Sequence, residues 1–223
     1  MKKISKADLS INKLIDLIKE DFLETDNLIK NQITSDVDRI PQLSSHIIDL
    51  GGKRLRPILT IACAKMLNVK NNHHITLAAA VELLHTATLL HDDVVDESNF
   101  RRGKETSHKI WDNKSSILVG DYLLGKAFQL MVKTGSLECL KTLSNAAAII
   151  AEGEVLQLVA INNINIKKND YIKIIESKTA ALFSSACEVG GIISNSQQKI
   201  NKLLFSFGKN LGTSFQLIDD ALD

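Results

Sequence analysis

Two prolines, eleven glycines and an aromatic fraction of 4% in 223 residues leave little of the turn and strand chemistry that a β-sandwich or barrel consumes. No alternating run of β-branched and polar residues stands in the chain, so strands are not expected. An excess of one charge is missing too. The 27 Lys and Arg against 26 Asp and Glu exclude the strongly basic face of a nucleic-acid binder, so affinity for an anion has to come from a few placed cations. Only three cysteines occur, Cys63, Cys139 and Cys187. They are far apart, odd in number and set in apolar helical contexts, which excludes a disulfide framework and fits buried thiols in a reduced, cytoplasmic protein. The basic start, MKKISKADLS, is not followed by an apolar signal core, and no stretch approaches the ~20 apolar residues of a membrane span. A soluble protein without a transmembrane segment is expected.

What is present is Leu, Ile, Ala and Lys in almost continuous helical patterning. No Pro/Gly/Ser linker, repeat or low-complexity tract interrupts it, so residues 1–223 read as one domain. Helices are expected over 8–30, over 35–50 with Gly51-Gly52 at the end, and again from Arg56-Pro57, proline being tolerated in a first turn. Further helices are expected over 74–96, 115–133, 137–159, 170–193 and from 197 onward, with a polar loop over 97–105. The fold class is all-α, a bundle of long helices with a core between them.

The strongest chemical signal is His91-Asp92-Asp93-Val94-Val95-Asp96 at the end of an otherwise apolar helix. Asp92 and Asp96 lie four apart on one helical face, while Asp93 turns about 100° away. Two stacked carboxylates repel unless a cation sits between them, and Mg²⁺ suits the place because it takes one or two carboxylates and completes its shell with water and phosphate. Alone, such a motif is also what a solvated helix end looks like. Arg101-Arg102 follows in the loop, where guanidinium forks could grip diphosphate oxygens. Gly51-Gly52-Lys53-Arg54-Leu55-Arg56-Pro57 places three cations at a helix start, already an anion site, although an ordinary basic turn would read the same. His85 lies two turns before Asp92 on nearly the same face, though a lone His on an apolar helix is more often a core residue. A second acidic cluster, FQLIDDALD, puts Gln216, Asp219 (or Asp220) and Asp223 on one face of another helix. Two Asp-rich faces with several cations describe a Mg²⁺ site for a diphosphate.

With these residues in view, the chain resembles the trans-polyprenyl diphosphate synthases along nearly its whole length. The resemblance rests on GGKRLRP at 51–57, ELLHTATLLHDDVVDESNFRRGK at 82–104, LVGDYLL at 118–124, GEVLQL at 153–158, KTAALF at 178–183 and FQLIDD at 215–220. It implies the isoprenoid synthase fold, helices around a central substrate cavity, and two to three Mg²⁺ ions. Asp92 and Asp96, with Asp93 supporting, would hold Mg²⁺ on the allylic diphosphate, and Asp219, Asp220 and Asp223 the further Mg²⁺. Arg101, Lys178, Thr179 and Gln216 would contact the allylic substrate. Lys53, Arg56, His85 and Arg102 would bind isopentenyl diphosphate. Ala87 and Thr88 are small where this family places a bulky aromatic to stop growth early, so the implied product is long, an octaprenyl chain for a quinone side chain. A cytoplasmic homodimer is implied as well.

The alternatives are a shorter-chain farnesyl or geranylgeranyl diphosphate synthase, a terpene cyclase, and a non-catalytic diphosphate-binding subunit or remnant. A cyclase has no use for the GGKRLRP and His85 cations, and a non-catalytic subunit usually lacks the Asp motifs. Members of the family usually run well past the second Asp motif, whereas this sequence ends at Asp223. Weak or absent turnover is therefore expected of this chain alone.

Overall fold

Apolar periodicity drives helix formation along almost the whole chain. The computed structural model describes residues 6–160 and 166–222. In order, it contains α1 (Lys6–Leu17), α2 (Lys19–Gln32), α3 (Arg39–Asp49), α4 (Leu55–Met66), α5 (His73–Val95), β1 (Phe100–Arg101), β2 (Lys104–Glu105), α6 (Ser107–Ile110), α7 (Asn113–Lys133), α8 (Leu137–Ala160), α9 (Lys168–Ile175), a π-helical turn (Glu176–Ala180), α10 (Ala181–Ile193) and α11 (Gln198–Leu222). The all-α class holds.

Three local departures from the expected helices have physical causes. The helix expected over 8–30 breaks at Ile18, whose backbone leaves the helical region at φ −116° while its side chain is buried at 3% exposure. The expected loop 97–105 is a small hairpin, with Phe100 opposite Glu105 and Arg101 opposite Lys104. Its two connecting residues, Arg102 and Gly103, take φ of 53° and 78°, as a type I′ turn requires at both central positions. The helix expected over 170–193 swells into the π turn at Glu176–Ala180, a form concentrated at functional sites.

Helix ends follow their capping chemistry. Asn71 Oδ1 accepts from the His73 amide at the start of α5 (2.9 Å), and Asp112 Oδ1 from the Ser115 amide at the start of α7 (2.7 Å). Between α3 and α4 the chain passes through Gly51 at φ 75° and Gly52 at φ 149°, conformations that only glycine adopts cheaply.

The described residues gather into two compact units, one of residues up to Ile58 with Ile75–Gly135, the other of Leu59–His74 with Ser136 onward. In the first, α3 and α6 pack against α7, and Leu43, Leu83, Leu90, Leu123 and Met131 are fully buried, each burial stabilising by about 1.5–3 kcal/mol. In the second, α10 is the central helix and packs on α8, α11 and the π turn. Close approach there depends on glycine: a Cβ on Gly208 of α11 would sit 2.4 Å from the Phe183 carbonyl oxygen. The cysteines are free and buried, as their contexts imply. By length and composition α8 could cross a membrane, contrary to the expectation that no stretch approaches such a span. It packs on α9, α10 and the π turn with Cys139, Leu143, Ala146 and Ile150 buried.

Candidate functional site

In the first unit, the GGKRLRP turn and the Arg101-Arg102 hairpin supply cations around one histidine. Arg102, at the hairpin tip, lays its guanidinium over the α3–α4 turn, so that a Cβ on Gly52 would lie 2.7 Å from Arg102 Nη1. Glycine at 52 leaves room for that guanidinium, and its φ of 149° is itself the firmer requirement for glycine. Burial lowers the Arg56 guanidinium to about 10, against an upward pull from Glu82. His85, on α5, is held well below 6.5, first by burial and then by the positive charges of Arg56, Arg101, Arg102 and Arg54. The imidazole is therefore neutral, able to donate one hydrogen bond and accept another. Lys53 is exposed at the start of the turn.

Among the acids, the helix separates Asp92 and Asp96 from Asp93, as their spacing predicts. Asp93 is 1% exposed and receives Arg101 twice on Oδ1, from Nη2 at 2.7 Å and from Nε at 2.8 Å. Asp92 is half-buried and Asp96 exposed.

In the second unit, the π turn carries Lys178 and Thr179. A Cβ on Gly153 of α8 would be 2.6 Å from Ser177 Cβ, so this glycine lets α8 reach the π turn and sets Glu154 beside Lys178, Oε2 to Nζ 2.9 Å. Gly212 gives α11 the same closeness to Ala180. A chain of hydrogen bonds then runs to the second acidic cluster. Thr179 Oγ1 donates to Gln216 Oε1 (2.7 Å), Gln216 Nε2 donates to Asp220 Oδ1 (2.7 Å), and the Tyr171 hydroxyl donates to Asp220 Oδ2 (2.5 Å). Holding that carboxylate raises the Tyr171 phenol above 10. Asp219 is exposed, and Asp223 lies outside the described residues.

The structure thus brings Arg56, His85, Arg101 and Arg102 together in one unit, and Lys178, Thr179, Gln216 and Asp220 into one connected group in the other. Sequence reasoning counted Arg54 among the three cations of GGKRLRP without a role of its own, and passed over Glu82, with which it pairs, as well as Glu154 and Tyr171. A lone carboxylate in the apolar run AAAVELLHTATLL is a signal that could have found Glu82, because a buried charge needs a partner. Nothing local marks Glu154 or Tyr171.

Among the described residues no three His, Cys, Asp or Glu side chains converge on a point that could hold a metal. Paired carboxylates with oxygen donors only are nonetheless what Mg²⁺ accepts, its remaining positions going to water and phosphate. Asp92 with Asp96 fits that requirement by its chemistry.

Comparison with known proteins agrees with these motifs. Residues 37–223 match the polyprenyl synthetase family. The chain is 45% identical to the octaprenyl diphosphate synthase of Escherichia coli over 215 residues, 96% of this chain and 67% of that protein. Its structure is similar to the crystal structure of a decaprenyl diphosphate synthase from Rhodobacter capsulatus, with TM-score 0.94 and 50% identity, covering 96% of this chain and 66% of the other. It is also similar to a polyprenyl synthase from Caulobacter crescentus complexed with calcium and isoprenyl diphosphate, with TM-score 0.94 and 47% identity over 95% of this chain and 65% of that one. This chain therefore spans about two thirds of the length of these relatives. Its fold is the all-α isoprenoid synthase fold, and the chain belongs to the polyprenyl synthetase family.

Proposed function

We propose that the chain is the greater part of a long-chain trans-polyprenyl diphosphate synthase, a prenyltransferase that condenses isopentenyl diphosphate onto an allylic diphosphate such as farnesyl diphosphate. The observation that carries this reading is the pairing of chemistries in one unit: four arginines around a neutral His85, and, at the C-terminal end of the helix that carries that histidine, Asp92 with Asp96 in the turn just after it, the Asp96 amide donating to the Asp92 carbonyl oxygen at 2.8 Å. One diphosphate is matched by fixed cations, the other by carboxylates that need a divalent cation. The family match runs through residues of both compact units, which supports reading them as one synthase domain.

In this mechanism Lys53, Arg56, Arg102 and His85 hold the diphosphate of isopentenyl diphosphate. Asp92 and Asp96 in one unit, and Asp219, Asp220 and Asp223 in the other, would hold two to three Mg²⁺ ions, and Asp93 fixes Arg101. When bound, Mg²⁺ neutralises charge on the allylic diphosphate as its C–O bond breaks. Arg101 and Lys178 share that task as hydrogen-bond donors, with Thr179 and Gln216 orienting the group. The C=C of isopentenyl diphosphate attacks the allylic carbon, and a proton is lost to the released diphosphate. Ala87 and Thr88 on α5 are small side chains, where the family's bulky aromatic would stop growth early. That supports a long product, which we read as octaprenyl for a quinone side chain; a cytoplasmic homodimer is part of the same proposal by family resemblance alone. A second reading is a chain that binds diphosphates without turnover.

Incubation with labelled isopentenyl diphosphate, farnesyl diphosphate and Mg²⁺ tests the proposal. Long polyprenyl product that vanishes in Asp92→Ala supports it and gives the chain length. Substrate binding without product supports the second reading, and absence of both contradicts the two together.

A further inference from the structure

Four arginines gathered around one neutral histidine repel one another, and Glu82 is the acid set among them. Its residue is 6% exposed, on α5 one turn before His85. Its Oε1 pairs with Arg54 Nη1, and Arg54 Nη2 also reaches the Ile48 carbonyl oxygen at 3.4 Å. Arg54 needs such anchoring. Its φ of 47° lies in the left-handed region that side chains other than Gly, Asn and Asp adopt only at a cost. It stands between Lys53 and Arg56, so whatever fixes Arg54 fixes the aim of both neighbours. The influence of Glu82 reaches Arg56 and Arg102 too, where it opposes the effect of burial.

From this geometry, and resting on the proposed function, we infer that Glu82 is a positioning residue for isopentenyl diphosphate: by anchoring Arg54 it locks the α3–α4 turn and sets the arginine cluster to receive the diphosphate. A carboxylate cannot itself attract a diphosphate, so Glu82 acts through the arginines. Glu82→Gln keeps the shape and loses the charge. Lys53 and Arg56 then lose their fixed aim, and the site weakens even though its net positive charge rises. A simple charge-sum account gives the opposite sign.

The test is calorimetric titration with isopentenyl diphosphate, without Mg²⁺, of the wild type, Glu82→Gln, Arg54→Met and the double variant. The wild type and variants are also titrated with farnesyl diphosphate plus Mg²⁺ as a check that the rest of the protein is intact. Each single change is expected to raise Kd for isopentenyl diphosphate about tenfold, the worth of one charge-assisted hydrogen bond. The double variant should lose no more than either single, with farnesyl diphosphate affinity within about twofold of wild type throughout. Unchanged or tighter isopentenyl diphosphate binding in Glu82→Gln overturns the inference, as does a parallel loss of both ligands, which marks a purely structural role. If Glu82→Gln does not fold, Arg54→Met alone decides between the same outcomes. A wild type that binds farnesyl but not isopentenyl diphosphate overturns the proposed function and the inference with it.

Discussion

Arg101 closes on Asp93, its Nη2 and Nε lying 2.7 and 2.8 Å from the same carboxylate oxygen. The middle acid of the first Asp motif is thus a buried counter-ion that fixes a hairpin arginine, while Asp92 is half-buried and Asp96 exposed. Asp93→Asn should therefore destabilise the fold by roughly 2 kcal/mol, less than a fully buried pair because Arg101 keeps 26% exposure. Asp96→Asn, at an exposed position, should change stability by less than about 0.5 kcal/mol. Urea unfolding of the two variants distinguishes them; equal losses would contradict this division of roles.

Stability should depend on pH through His85. Its imidazole is held neutral in the fold and can protonate once unfolded, so the unfolded chain binds more protons below the ordinary value of 6.5. The contribution of His85 is complete above that value and falls away as pH drops toward the lowered native value, by at most about 1.4 kcal/mol per pH unit. His85→Gln should lose less melting temperature than wild type between about pH 7.5 and about pH 5.5. The same loss in both proteins would rule His85 out as the source.

Gly153 leaves no room for a side chain, an added Cβ falling 2.6 Å from Ser177 Cβ and 3.1 Å from the Lys178 amide nitrogen. Gly153→Ala should force α8 away from the π turn, lower stability by about 1–3 kcal/mol and move Lys178 off Glu154. Thermal unfolding measures the first effect and Mg²⁺-dependent binding of inorganic diphosphate the second. A gain in stability, as expected for Ala in an unconstrained helix, would show that the contact does not matter.

Tyr171 and Gln216 each take one oxygen of Asp220. Tyr171→Phe should weaken Mg²⁺-dependent binding of farnesyl diphosphate by about 1 kcal/mol, the worth of one hydrogen bond, and leave binding of isopentenyl diphosphate alone. Calorimetric Kd values for both ligands check this, and an unchanged farnesyl diphosphate Kd would mean that the orientation of Asp220 is indifferent to the phenol.

Features that depend on local pattern were legible in the sequence. The helices, the Gly51-Gly52 turn and the facing of Asp92 with Asp96 follow from periodicity and from glycine's freedom. Features that depend on a distant partner were not. The π turn at Lys178-Thr179 has no compositional mark, and its position goes with Gly153 and Gly212, which let α8 and α11 close in. The hairpin is missed because each strand has only two residues, too few for alternation to register. Arg54 looks like one more cation in GGKRLRP until Glu82, 28 residues later, is seen to hold it.

The central claim is that one diphosphate is held by fixed cations and the other through carboxylates and Mg²⁺. Calorimetric titration of the wild-type chain with isopentenyl diphosphate and with farnesyl diphosphate, each with and without Mg²⁺, tests it most directly. The account predicts that farnesyl diphosphate binds only with Mg²⁺ and loses that binding in Asp92→Ala, while isopentenyl diphosphate binds without it. Equal dependence of both ligands on Mg²⁺, or of neither, would contradict it.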